Sequence, residues 1–247
     1  MSEETGLRER KKQRTRRTLS DTAIGLFLEH GFDQVSVADV AAAAEVSKPT
    51  LFRYFPAKED LVLERIADHQ GESARVVRDR APGQSPLAAL RAHFHARLDA
   101  HDPITGLSDN PAARAYTDLL FTTPSLLARL LSYTDRDADE LTSALLAAAS
   151  GVDASGMDAS GMDASGMDAS GMDASGMDAS GMDASGMDAS AARLSAGLIL
   201  LAHRHLAREN WRKLSDGLTP EAALADAHAA ADRAYDMLTR GLGAGYG

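Results

Sequence analysis

Apolar residues recur along this chain at helical spacing. Leu19, Ala23, Leu26, Phe27 and His30 fall at i, i+4, i+7, i+8 and i+11, one face of a helix that Gly31 ends. Ser36 is placed to cap a short helix over 37–44 with Val37, Val40 and Ala41 inward, and Ser47 to cap another over 48–54. Pro49 lies in the first turn of that helix, where a missing N–H costs little, and Pro56 closes it. A longer helix is expected over 57–80, stopped before Pro82-Gly83. Further helices are expected over 86–101, 111–121, 124–149, 191–215 and 220–241, punctuated by Asp102-Pro103, Thr123-Pro124 and Thr219-Pro220. No persuasive strand alternation occurs. The pattern is that of an all-α protein.

One segment has no such pattern. Residues 151–190 are a GVDAS unit followed by seven GMDAS units. A five-residue period turns about 500° on a helix and sends successive Met residues to opposite faces of a strand, so neither structure can bury one side. Each Gly also costs a helix about 1 kcal/mol relative to Ala. A disordered, acidic, low-complexity loop is the expectation.

Composition changes this picture in three ways. The 247 residues carry a formal charge of −10, but the repeat alone supplies eight Asp and no base. Residues 8–17 hold seven Lys/Arg and one acid, a basic arm that can attract nucleic acid or simply be solvated. The absence of cysteine excludes disulfides, thiolate metal sites and a cysteine nucleophile. The first twenty residues have no apolar run of the signal-peptide kind, and no stretch approaches the roughly 20 apolar residues of a membrane span. A soluble, cytoplasmic protein with no membrane partner is expected.

Two short helices joined through Ala44-Glu45-Val46, after a longer first helix, make a helix-turn-helix. Val40, Val46, Leu51 and Phe55 are its expected core. Lys48, Pro49, Thr50 and Arg53 then face outward. Lys suits guanine O6/N7, Thr suits bases or phosphate, and Pro offers apolar surface to a thymine methyl. Many helical proteins have short helix pairs with polar outer faces, so spacing alone leaves the chemistry open.

The ordered runs are more specific. Residues 26–32 read LF-x-E-x-GF, residues 36–41 read S-V-x-D-V-A, and residues 50–61 read T-L-F-R-Y-F-x-x-K-E-D-L. Residues 18–61 thereby resemble the DNA-binding domain of the tetracycline-repressor (TetR) family of transcriptional regulators. The resemblance implies an all-α homodimer with an N-terminal three-helix helix-turn-helix domain and a C-terminal helical ligand-binding and dimerisation domain. The expected divisions are a disordered basic arm over 1–13, the DNA-binding domain over 14–60, and the regulatory domain over 61–247, interrupted by the repeat. The implied partners are a palindromic double-stranded operator, a second subunit and an unidentified small-molecule effector. No cofactor is implied.

Carried over to this sequence, the family pattern places Lys48, Pro49 and Thr50 at base edges, and Phe52, Arg53 and Tyr54 near phosphates or bases. Lys58 is implied to hold phosphate at the start of the next helix. Ser36 is implied to contact phosphate as well as cap its helix, and Ser47 joins the DNA-binding set. Arg16 and Arg17 are implied to reach the minor groove. Phe52 departs from the Tyr frequent at its position, so a phosphate-bonding hydroxyl is absent there.

The regulatory half is less legible. His93, Arg97 and His101 share a helix face, and Arg114, Tyr116, Phe121, Tyr133 and Trp211 could join them in a mixed effector pocket; each also fits a core or surface role. The pairs His93/His95 and His203/His205 diverge by about 200° on a helix and cannot chelate locally, so no metal site is expected. No catalytic constellation stands out, so no enzyme is expected. Leu194, Leu198, Leu201 and Ala202, and the stripe Ala223, Ala227, Ala230, Ala231 and Ala234, suit a dimer interface or packing within one subunit. The competing function is a helical protein-interaction adaptor that uses the acidic repeat.

Overall fold

The computed structural model describes residues 2–67, 69–150 and 188–242. Among these residues it is all-helical. The helices are α1 (Ser2–His30), α2 (Val37–Ala43), α3 (Lys48–Tyr54), α4 (Lys58–Ala67), α5 (Glu72–Arg78), α6 (Pro86–Asp99), α7 (Pro111–Thr122), α8 (Pro124–Ala149), α9 (Ala189–Ser215) and α10 (Pro220–Leu242), with one 3-10 turn at Pro103–Thr105. The punctuation read from sequence sets most boundaries. Pro86, Pro111 and Pro124 sit in first turns, and the Ser85 and Asn110 side chains accept from the backbone N–H groups that such turns leave open. Residues 151–187 of the repeat lie outside the described residues.

Two expectations are corrected. The arm expected to be disordered over 1–13 is helical from Ser2, continuous with the helix anchored by Leu19 and Ala23. Arg, Lys, Gln and Glu are good helix formers, and extending an existing helix needs no new nucleus. The helix expected over 57–80 is two. α4 stops at Ala67, and α5 begins after Gly71, whose φ is +69°. The Gly71 N–H donates to Asp137 Oδ1 of α8 at 3.0 Å, and a Cβ on Gly71 would stand 2.2 Å from Glu140 Oε2. The break is therefore imposed by α8, which packs against α5.

The apolar residues form two clusters. One joins Leu19, Phe27, Val40, Leu51 and Phe55 of the first three helices to Leu61 and Leu63 of α4, and onward to Leu119, Leu126 and Leu130 of α7 and α8. Each such side chain contributes about 1.5–3 kcal/mol. The expected boundary at 60/61 falls inside this core, so α4 is shared between the head and the body. The second cluster fills the body between α5, α6, α8, α9 and α10. Ala223, Ala227 and Ala231 are fully buried in it, so the small-residue stripe packs within the subunit. Leu194, Leu198 and Leu201 of α9 face outward. Among the described residues no helix is long and apolar enough to cross a membrane.

Candidate functional site

α2 and α3 are fixed by their caps. The Asp39 N–H donates to Ser36 Oγ at 3.2 Å, and the Ser36 N–H donates to Asp39 Oδ2 at 2.8 Å, a reciprocal capping box. The Ser36 hydroxyl and backbone N–H together hold the Asp39 carboxyl below its usual range. The turn passes through Glu45 at φ +56°, and the Val46 N–H returns to the Ala41 carbonyl at 2.9 Å. At α3, the Thr50 N–H donates to Ser47 Oγ at 3.2 Å, and the two hydroxyls lie 2.8 Å apart.

Those constraints orient α3. Leu51 and Phe55 are buried and Val46 is half-buried over the same core, beside fully buried Val40. Lys48, Pro49, Phe52 and Arg53 are exposed, with Thr50 and Tyr54 half-buried. Lys48 Nζ lies 5.9 Å from the Phe52 ring centre, and the Arg53 guanidinium 5.7 Å from that of Tyr54. The outward edge thus combines two cations, an apolar ring and a proline, a set suited to phosphates and base edges. Arg8, Arg10, Lys11, Lys12, Arg14 and Arg17 are exposed on α1.

Two residues read as DNA contacts are engaged elsewhere. Arg16 is not on a free arm. Its Nε donates to Glu64 Oε1 at 2.7 Å, one Nη pairs with Glu64 Oε2, and the other donates to the Tyr54 carbonyl at 2.9 Å. Its guanidinium also lies 4.7 Å from the Phe55 ring centre. The continuous helix explains this: α1 carries Arg16 across the C-terminal end of α3 onto buried Glu64. Lys58 Nζ donates to the Phe32 carbonyl and sits 4.1 Å from the Phe32 ring centre. Its ammonium closes the head core in this structure. Neither partner is visible in sequence, since both lie more than twenty residues away.

Behind the head lies a cavity of about 540 Å³. Of the eight pocket candidates, His93, Arg97, Tyr116 and Phe121 line it. The other four do not. Tyr133 turns its hydroxyl to Asp60, 3.3 Å away. Trp211 Nε1 donates to Asp118 at 2.6 Å and Arg114 to the Leu214 carbonyl at 3.2 Å, around a separate space of about 10 Å³. His101 leaves the face of His93 and Arg97 because the chain turns at φ +49° there. With Asp109 and Glu221 it forms a trio whose possible metal-binding atoms lie within 4.8 Å of one another.

Sequence reading missed Glu72, His69, Asp137, His203 and Arg204 of the wall. Leu200, His203, Arg204 and Ala207 are spaced at i, i+3, i+4 and i+7, a signal that was available. Glu72 is the hub. It pairs with Arg97, faces His93 Nε2 at 3.1 Å and His69 Nδ1 at 3.3 Å. Burial acts to raise its pKa, but the Arg97 guanidinium outweighs burial and holds the carboxyl below its usual range. Burial raises the Asp137 carboxyl. His203 donates to or accepts from the Tyr235 hydroxyl at 2.6 Å, and burial lowers its pKa to about 4.

A helix-turn-helix head on a helical body with an internal cavity is the architecture of a bacterial one-chain regulator. Residues 19–64 match the profile of bacterial regulatory proteins of the tetR family. The HTH-type transcriptional regulator TcmR of Streptomyces glaucescens is 34% identical over 149 residues, covering 60% of this chain and 66% of that protein. The HTH-type transcriptional repressor LfrR of Mycolicibacterium smegmatis is 37% identical over 90 residues, 36% of this chain and 46% of that protein. The putative mycofactocin biosynthesis transcriptional regulator MftR of Mycobacterium tuberculosis is 49% identical over 60 residues, 24% of this chain and 30% of that protein. The matches thus span less than two thirds of these relatives. Native NalD, the secondary repressor of the MexAB-OprM multidrug efflux pump in Pseudomonas aeruginosa, shares the fold. It aligns with a TM-score of 0.50 at 16% identity over 90% of this chain and 96% of its own. Residues 19–64 thus form a helix-turn-helix head of the tetR family of bacterial regulatory proteins.

Proposed function

We propose that this protein is a sequence-specific transcriptional regulator, a repressor that binds a palindromic operator as a homodimer and releases it when a small molecule fills the cavity. The observation that carries this reading is the α3 edge, where Lys48, Pro49, Phe52 and Arg53 stand exposed on a helix locked from below by Leu51 and Phe55. Ser47, Thr50, Tyr54, Ser36 and Arg17 complete the proposed DNA-contacting set. One seven-residue helix reads few bases, which favours two heads on two half-sites. The outward Leu194, Leu198 and Leu201 of α9, together with exposed Met237 of α10, offer the apolar face for the second subunit.

The cavity wall includes Arg65 and Ile66 of α4 and His69 and Glu72 at the α4–α5 break. α4 begins beside the recognition helix, so a ligand that spreads this break moves the head. It acts as an inducer by binding the DNA-incompetent arrangement more tightly.

The test is a gel shift with the DNA upstream of the protein's own reading frame. The expected result is saturable binding by a dimer, competed by unlabelled specific DNA and lost in Lys48→Ala/Thr50→Ala. Equal binding of unrelated DNA by both proteins would reject α3 as the reading element.

A further inference from the structure

The charges on the cavity wall do not all have partners. Arg65 pairs with Asp21 at 3.1 Å, outside the cavity. Arg97 is held between Glu72 and Asp102, the latter at 2.8 Å. Asp137 accepts the Gly71 N–H. His203 is half-buried, shares a hydrogen bond with Tyr235 and stacks on Phe94, ring centres 5.3 Å apart, and its low pKa keeps it uncharged near neutrality. Arg204 is different. It is half-buried on the cavity-lining face of α9, one turn from Leu200 and beside His203, and makes no ion pair or hydrogen bond among the described residues. A guanidinium is permanently charged, and a partly desolvated one gains most from an anion it can grip with two N–H groups.

Part of the wall is apolar. Phe94, Leu120, Phe121, Leu130, Leu200 and Ala207 supply it. A cavity of about 540 Å³ is within the usual range for a drug-sized molecule. We infer that the ligand of this cavity is a hydrophobic organic anion, with an apolar ring or chain body against Phe94, Phe121 and Leu200 and one acidic group paired with Arg204. This rests on the reading of the cavity as the effector site. A cation is disfavoured by the same residue, because the wall's carboxylates are already committed to Arg97 and to the Gly71 N–H.

The test uses two fluorescent probes with the same rings. One is 1-anilinonaphthalene-8-sulfonate, and the other is neutral N-phenyl-1-naphthylamine, which lacks the sulfonate. Binding to the full chain is titrated in the parent protein, Arg204→Gln, Arg204→Lys and Ala113→Trp, the last filling the cavity from α7. The expected result is that the sulfonate binds about tenfold or more tighter than the neutral probe. Arg204→Gln abolishes that advantage and leaves the neutral probe within about twofold, Arg204→Lys retains part of it, and Ala113→Trp weakens both. If Ala113→Trp blocks the neutral probe but the sulfonate gains nothing from Arg204, the anion assignment is wrong and the cavity reading stands. If Ala113→Trp affects neither probe, both readings fall. Arg204→Lys and the comparison within the parent protein decide the matter should Arg204→Gln not fold.

Discussion

Asp60, the third residue of α4, accepts two hydrogen bonds from Arg129 of α8, from Nε at 2.8 Å and from a terminal nitrogen at 3.1 Å. Asp60 is only 3% exposed. The same carboxylate accepts the Ala57 N–H at 3.0 Å and faces the Tyr133 hydroxyl at 3.3 Å. One side chain therefore closes the first turn of α4, beside the recognition helix, and grips the body. Burial and the neighbouring Asp60 carboxylate push the Tyr133 hydroxyl pKa up to about 12, so it remains a donor. Arg129→Met removes the counter-ion and two hydrogen bonds of a buried carboxylate. It should lower the unfolding free energy by about 1–3 kcal/mol in urea titration. With Tyr133→Phe the losses should not add, because both act on Asp60. Strict additivity would mean that the three groups do not work as one network.

Arg16 and the α3 edge should respond oppositely to substitution. Arg16→Ala leaves Glu64, 5% exposed, without its counter-ion. The expected cost is about 2 kcal/mol or more in stability. Lys48→Ala and Thr50→Ala touch exposed or half-buried positions. They should leave the melting temperature nearly unchanged while relaxing operator discrimination by about 1–3 kcal/mol at particular bases. Melting curves and binding to an operator series separate the two classes. A stable Arg16→Ala protein with weakened operator binding would return Arg16 to the DNA-contact set.

Gly71 and Gly106 are both left-handed, at φ +69° and +72°, but they meet different obstacles. A Cβ on Gly71 meets the end of the flexible Glu140 side chain, whereas one on Gly106 would stand 2.0 Å from the Ala207 carbonyl oxygen of α9. Gly71→Ala should cost about 1–2 kcal/mol from backbone strain, plus a clash that Glu140→Ala relieves. Gly106→Ala has no such rescue, because the obstacle is backbone. Denaturant midpoints of the three variants give the ranking. Equal losses at the two glycines would contradict the contact geometry.

The contrast between these positions shows what was legible in the sequence. The starts of α2 and α3 were readable because Ser36 and Ser47 act on residues three positions away. The outward face of α3 was readable for the same local reason. The α4–α5 break was not, because the helical pattern continues through it and the cause is Asp137 and Glu140 of α8. Arg16 and Lys58 were assigned by resemblance, and their partners Glu64 and Phe32 are tertiary. Of the pocket set, His93 and Arg97 share a face and line the cavity, whereas Trp211 and Arg114 were chosen by residue type, which does not tell which side of a helix meets a cavity.

Whole repeat units should be removable without loss of stability. The last unit ends in Asp188-Ala189-Ser190, and Asp188 caps α9 by accepting the Ala191 N–H at 2.6 Å. Shortening 151–190 to the single GVDAS unit puts Asp153 and the same Asp-Ala-Ser sequence before α9, so the cap survives. Loop-closure entropy changes by only about 0.6 kcal/mol per doubling of length. Asp188→Ala, by contrast, should cost about 1 kcal/mol. A large fall in melting temperature on whole-unit shortening would show that the repeat is packed structure.

His203 sets a pH dependence whose sign is fixed by burial. Its pKa is about 4 in the folded protein, against an ordinary 6.5. Above about pH 6.5 the ring is neutral in the folded and unfolded chains alike, and its native environment is fully favourable. Between pH 6.5 and 4 the unfolded chain takes up a proton that the folded protein refuses, so stability is lost as the pH falls. The whole interval corresponds to roughly 3 kcal/mol. His203→Phe keeps a ring against Phe94 and removes the titration, at the cost of leaving the buried Tyr235 hydroxyl without its 2.6 Å partner. That cost is about 1–3 kcal/mol at neutral pH. Carboxylates such as Glu72 also contribute to acid destabilisation, so the measurement is the difference between parent and variant. The parent should lead in melting temperature at pH 7.5, and its advantage should shrink or reverse by pH 4.5. A gap that stays constant across that range would mean that His203 protonates in the folded protein as readily as in the unfolded chain.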